Sequence, residues 1–126
     1  MVKILTVCSQ GLVRSVGLAD VLKLHFEPVD VIPVGYSENA NSAETLRMLC
    51  DWADHVIFMQ PPMRKRVESR LGIEDLRENC AVHCCDVGRD TYGGDHGRRR
   101  ELIDKVWQWT RENQDKLGIS EHKKRL

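Results

Sequence analysis

The run Lys3-Ile4-Leu5-Thr6-Val7-Cys8-Ser9-Gln10-Gly11-Leu12-Val13-Arg14-Ser15 contains a change of periodicity. Lys3 to Val7 is short, β-branched and apolar, which predicts a strand. Cys8 to Leu12 is small and polar, which predicts a turn. From Val13 onward, apolar residues recur at helical spacing: Leu18, Val21 and Leu22 share a face that His25 and Phe26 continue. The chain therefore opens strand, tight loop, helix.

The same alternation continues outward. Val29 to Val34 predicts a second strand, and Pro33 inside it points to a sheet edge, because proline cannot donate to a ladder. A polar loop, Ser37 to Ser42, ends on a residue able to cap the helix Ala43 to Trp52, whose inner face carries Leu46, Leu49 and Cys50. His55 to Met59 has almost no polar alternation, as expected of a strand covered on both faces. Pro61 and Pro62 open a helix from about Met63 to Leu71, and Gly72 ends it. Cys80 to Cys85 predicts a fourth strand. Asp86 to Gly97 is a Gly- and Asp-rich loop. Arg99 to about Asn113 predicts the last helix, with Leu102, Val106 and Trp109 or Thr110 inward. A polar tail from about residue 119 is expected to fray.

Strands alternating with helices imply an α/β fold: three layers, with a four-stranded parallel sheet flanked by helices and joined by right-handed crossovers. Ligands of such sheets bind beyond the carboxyl ends of the strands. Two loops lie there, Cys8 to Arg14 and Asp86 to Gly97. The 126 residues suit a single domain, 1–126.

Lysine plus arginine and aspartate plus glutamate balance at 19 each. A dedicated nucleic-acid binder carries a basic excess, so that class is set aside. No apolar run reaches the length of a membrane span. Ile4 to Val7 is too short for the core of a signal peptide, and a cytoplasmic protein is expected. Five cysteines, an odd number at irregular spacing, predict free thiols over a disulfide framework.

In the loop, a cysteine ends a strand and an arginine six residues on begins a helix. Between them, the backbone N–H groups of Ser9, Gln10, Gly11, Leu12 and Val13 can turn inward to form an anion nest, and the helix N-terminus adds positive potential. Thiols in such a field ionise more readily than the free value of about 8.5. That makes Cys8 a candidate nucleophile. Arg14 offers a planar fork for two phosphate oxygens. Ser15 can donate a hydrogen bond to the thiolate.

This segment resembles the phosphate loop of the low-molecular-weight protein tyrosine phosphatases, which place Cys-x5-Arg-Ser after the first strand. Trp52-Ala53-Asp54-His55-Val56-Ile57-Phe58-Met59 is similar to the family's third strand. Asp90-Thr91-Tyr92-Gly93 is similar to its Asp-Pro-aromatic loop. The resemblance implies a metal-free, cofactor-free hydrolase. It would cleave phosphotyrosine or similar phosphomonoesters through a phosphocysteine intermediate, with phosphorylated proteins or small phosphomonoesters as partners. It departs from the family at three positions: Gly11 replaces an asparagine that props the loop, Val13 a second cysteine, and Thr91 the proline.

The implied acid comes from the loop after the fourth strand, where Asp86, Asp90 and Asp95 are candidates. Asp90 fits the motif best and Asp86 is the runner-up. Tyr92 can line the substrate rim or pack as an ordinary loop aromatic. Cys84 or Cys85 can pair reversibly with Cys8 or sit buried in the strand. The set Cys80, His83, Cys84, Cys85 and His96 matches no common zinc spacing. Arg98, Arg99 and Arg100 read either as a surface for acidic substrates or as a solvated face. Three alternatives share the loop: a thiol-relay arsenate reductase, a sugar-transport phosphocysteine carrier, and a non-catalytic phosphate binder.

Overall fold

The computed structural model describes residues 1–93 and 96–122. Its strands are β1 (Val2–Cys8), β2 (Phe26–Glu27), β3 (Val29–Gly35), β4 (His55–Phe58), β5 (Ala81–Cys84) and β6 (Ser120–Glu121). Its α-helices are α1 (Arg14–His25), α2 (Ala43–Trp52), α3 (Met63–Leu71), α4 (His96–Glu112) and α5 (Gln114–Leu117).

Four strands form the expected parallel sheet, in the order β3-β1-β4-β5. Pro33 does lie in an edge strand, opposite Thr6 of β1. The central strands are mostly apolar: Ile4, Leu5 and Val7 of β1 and Val56, Ile57 and Phe58 of β4 are fully buried or nearly so. Helices cover both faces, with α1 against α4 and α2 against α3. The first of these contacts is close because α1 has no side chain where they meet: a Cβ on Gly17 would lie 2.9 Å from Leu102.

Local chemistry explains the boundaries. The Ser42 hydroxyl accepts from the Thr45 amide at 3.1 Å and starts α2. Gly72 takes a left-handed conformation, φ 67°, and ends α3. Two boundaries differ from the sequence reading. The last helix starts earlier, at His96, and breaks after Glu112 into the short α5. Of the tail expected to fray from 119, residues 119–122 are tied down, and 123–126 lie outside the described residues. Ile119 is buried, and Ser120 and Glu121 pair antiparallel with Glu27 and Phe26. Arg111 binds the Glu121 carboxylate at 2.8 and 2.9 Å. Two-residue strands give no periodic signal, so this ribbon was not visible in the sequence.

One polar pair bridges β4 and β5. His55 Nδ1 and His83 Nε2 share a hydrogen bond of 2.9 Å, with Trp109 edge-on to His83. Burial, then His55, then Lys116 push the His83 pKa down to about 4. A histidine held neutral stabilises the fold above its unfolded value of about 6.5, and that stability is lost as pH falls toward 4. A shift of one unit corresponds to about 1.4 kcal/mol. The ring is only half-buried and solvent screens its neighbours, so the expected loss is about 1–2 kcal/mol. Urea unfolding at pH 7 and pH 4.5 tests this: His83→Gln should lose less stability over the interval than the unsubstituted chain.

Candidate active site

The sheet order reverses direction at β1: the chain leaves β1 toward β3, then returns across it to β4. A crevice therefore opens between the carboxyl ends of β1 and β4. Cys8, the last residue of β1, and Arg14, the first of α1, stand at this crevice.

The loop between them is fixed from behind. Tyr36 N–H donates to the Cys8 carbonyl at 3.1 Å, and Ser37 N–H to the Ser9 carbonyl at 3.0 Å. Turning those carbonyls toward β3 leaves the opposite side of the loop for N–H groups. Gly11 N–H donates to Cys8 Sγ at 3.2 Å. Two glycines permit this approach. Gly11 has φ +74°, and a Cβ on it would meet the Gly35 nitrogen at 2.5 Å. A Cβ on Gly35 would meet the Gln10 carbonyl carbon at 2.3 Å. Asn41 Nδ2 holds the Gly35 carbonyl at 2.9 Å, and Arg70 clamps the carbonyls of Tyr36 and Asn41, each at 2.8 Å. Backbone interlock with β3 thus holds the loop at Gly11.

Ser15 is fully buried, and its Oγ lies 3.1 Å from Cys8 Sγ. Thr6 Oγ1 donates to the Ser15 carbonyl at 2.8 Å and fixes the first turn of α1 to β1. Arg14 is 4% exposed. One terminal nitrogen donates to Gln60 Oε1 and to the Gly88 carbonyl, both at 2.9 Å. Its Nε is buried and has no hydrogen-bond partner among the described residues. A buried guanidinium donor left open is a site for an oxyanion. Of the remaining loop residues, Val13 is half-buried at the helix start and Leu12, 73% exposed, forms an apolar lip.

Gln60 and Gly88 were missed in the sequence. Gln60 lies two residues beyond Phe58, the end of β4, and the carboxyl-edge rule covers that strand end too. Gly88 acts through its carbonyl, which no side-chain motif records.

Gly88 also fixes the acidic loop. The Asp86 carboxylate accepts from Gly88 N–H at 3.0 Å, a turn-capping role. The Asp90 carboxylate, two residues beyond Gly88, is exposed and makes no hydrogen bond among the described residues. Asp95 lies outside the described residues. Tyr92 is not a rim residue: it is 3% exposed. Its hydroxyl donates to the Val87 carbonyl at 2.5 Å and accepts from Lys105 at 3.0 Å. With its polar end satisfied, the ring packs inward as an anchor.

Cys84 and Cys85 stand away from Cys8. Register aligns Val7 with Phe58 and Phe58 with Cys84, so β5 lies two strands from β1. That is about 10 Å, beyond the roughly 7 Å Cα limit of a disulfide. Burial pushes the Cys85 thiol pKa up, and burial together with Asp86 raises that of Cys84. All five cysteines are free. Cys50 is core, its pKa raised to about 12 chiefly by burial.

No protein-family model matches the sequence, and no curated protein matches it. Solved structures do match over nearly the whole chain. The YwlE arginine phosphatase of Geobacillus stearothermophilus is 19% identical, covers 99% of this chain and 100% of its own, and gives a TM-score of 0.58. Vibrio vulnificus Wzb in complex with benzylphosphonate is 15% identical over 92% of this chain and 99% of its own, with a TM-score of 0.63. A low-molecular-weight protein tyrosine phosphatase from Bacillus subtilis is 16% identical over 90% and 97%, with a TM-score of 0.58. Across these alignments, this chain has the fold of the low-molecular-weight protein tyrosine phosphatases.

Proposed function

We propose that the chain is a cysteine-dependent phosphatase for phosphotyrosine or similar phosphomonoesters. The observation that carries this reading is the buried, unpartnered Nε of Arg14 beside a thiol already contacted by Gly11 N–H and Ser15 Oγ. The nest holds three phosphate oxygens, and Arg14 and the backbone supply the positive charge.

Cys8 Sγ attacks phosphorus and the ester P–O bond breaks. The leaving oxygen takes a proton from the Asp90 carboxyl, which becomes carboxylate. A water then enters and gives its proton to Asp90, and its oxygen attacks the phosphocysteine. The S–P bond breaks, Ser15 hydrogen-bonds the departing thiolate, and inorganic phosphate leaves. The exposed, uncommitted carboxylate of Asp90 supports its role over Asp86, whose carboxylate caps Gly88.

Leu12 at the lip favours a substrate whose phosphate is carried by an apolar or aryl group. The strand separation between Cys8 and the β5 cysteines speaks against a thiol relay for arsenate. Arg14 and the acidic loop speak for hydrolysis over phosphate carriage. Five free thiols suit the reducing cytoplasm.

The test is turnover of p-nitrophenyl phosphate and phosphotyrosine, with phosphoarginine alongside, in the presence of a chelator. Asp90→Asn should lower kcat about 100- to 1,000-fold. Asp86→Asn should lower it far less. Hydrolysis of phosphoarginine alone would reassign the substrate, and a harmless Asp90→Asn would reassign the acid.

A further inference from the structure

The turn that carries Gln60 also opens a second concavity. A groove of about 490 Å³ runs from that turn to β5, lined by Phe58, Pro61, Pro62, Val82, Arg64 and Lys65. Pro61, Pro62 and the cations Arg64 and Lys65 come from the start of α3 and the turn before it, and Val82, His83 and Cys84 face them from β5. Arg64 is steadied by Glu68 at 3.7 Å. Lys65 is exposed and forms no ion pair among the described residues.

The charge here is unfavourable for the fold taken alone. α3 has no acidic residue in its first turn, and Pro62 gives no side-chain cap. Cations at a helix start oppose the helix dipole. α4 repeats the pattern, with Arg98, Arg99 and Arg100 near its start and no acid in its first turn. Both helices follow strands, so both starts lie at the carboxyl edge of the sheet, beside the candidate active site. Beside the carboxylates of Asp86 and Asp90, this places Arg64, Lys65, Arg99 and Arg100 at the same edge.

The groove's distance from the nucleophile gives its occupant a scale. Two strand spacings separate β5 from β1, about 10 Å, which three residues of extended peptide span. We propose that this groove seats the segment flanking the phosphorylated residue of a protein substrate, selecting one that places an acidic and an apolar side chain about three residues away. Arg64 and Lys65 receive the carboxylate, and Val82 and the two prolines receive the apolar group. This rests on the phosphatase reading and adds a substrate class to it.

The test uses two fluorescein-labelled phosphotyrosine peptides, one with Glu-Leu and one with Lys-Ser at the third and fourth flanking positions. Their binding to the Cys8→Ser protein is read by anisotropy at low salt. The Glu-Leu peptide should bind about tenfold tighter. Adding Lys65→Glu should remove most of that preference, and in the unsubstituted background Lys65→Glu should leave p-nitrophenyl phosphate turnover unchanged. Equal binding of the two peptides, or a preference that survives Lys65→Glu, overturns the proposal. So does equally effective competition by an RNA oligomer or by polyphosphate, since the face would then read charge alone. Absence of p-nitrophenyl phosphate turnover in the unsubstituted chain overturns the phosphatase reading instead, while the peptide comparison still decides the groove.

Discussion

Cys8→Ser is expected to remove turnover of p-nitrophenyl phosphate, by at least about 10,000-fold, in a protein that remains folded. A serine hydroxyl is a far weaker acid than a thiol and a poorer leaving group from phosphorus, so both chemical steps fail. Gly11 N–H and Ser15 Oγ, at 3.2 and 3.1 Å from the sulfur, can solvate a thiolate but cannot ionise an alcohol at neutral pH. The fold should tolerate the change because one small side chain replaces another at a position 3% exposed. Phosphate binding should persist, since the nest and Arg14 are intact. Steady-state assay together with vanadate or phosphate titration checks both halves. Residual turnover within 100-fold of the unsubstituted enzyme would remove Cys8 from the mechanism.

Gly35→Ala should slow catalysis about 100-fold although Gly35 has no side chain. The added Cβ would lie 2.3 Å from the Gln10 carbonyl carbon, 2.5 Å from its oxygen and 2.8 Å from Ala40 Cβ. Two of these are backbone atoms of the phosphate loop, and they cannot swing aside as a side-chain tip can. The loop must shift away from β3, carrying with it the N–H groups that face phosphate. A displacement of this size in a preorganised site costs about 100-fold in rate, and overpacking costs about 1–3 kcal/mol of stability. The control is Gly93→Ala, where a Cβ meets nothing within 4 Å. Comparable kcat for the two variants would show that the β3 interlock does not position the loop.

The parts of the fold legible in sequence were those with a strong period or a capping residue. β1, β4 and α2 read directly because burial on both faces makes a strand continuously apolar, and Ser42 marks its helix. Pro33 disclosed an edge, since a missing N–H is tolerable only there. Cys8, Arg14 and Ser15 stood out because their residue types sit on a strand-to-helix turn. The support of the loop was illegible for a physical reason: it consists of main-chain contacts from Tyr36, Ser37 and Gly35, and main-chain groups look alike in every residue. Tyr92 illustrates the converse error. An aromatic after an acidic loop residue reads equally well as rim or anchor, and only the Val87 carbonyl and the Lys105 ammonium at its hydroxyl separate the two.

The ribbon of β2 with β6 brings the far segment of the chain back to where it starts. A side chain on Gly118 would rest 3.9 Å from Val2, at the amino end of β1. Cys8, six residues along an extended strand, is about 20 Å away at the opposite edge. Attachment and reaction thus occupy opposite poles of the molecule. A tether fixed near Val2 or Gly118 leaves the mouth of the site open at the other pole. The same arrangement lets the protein be displayed on a solid support with every copy presenting its phosphate loop outward.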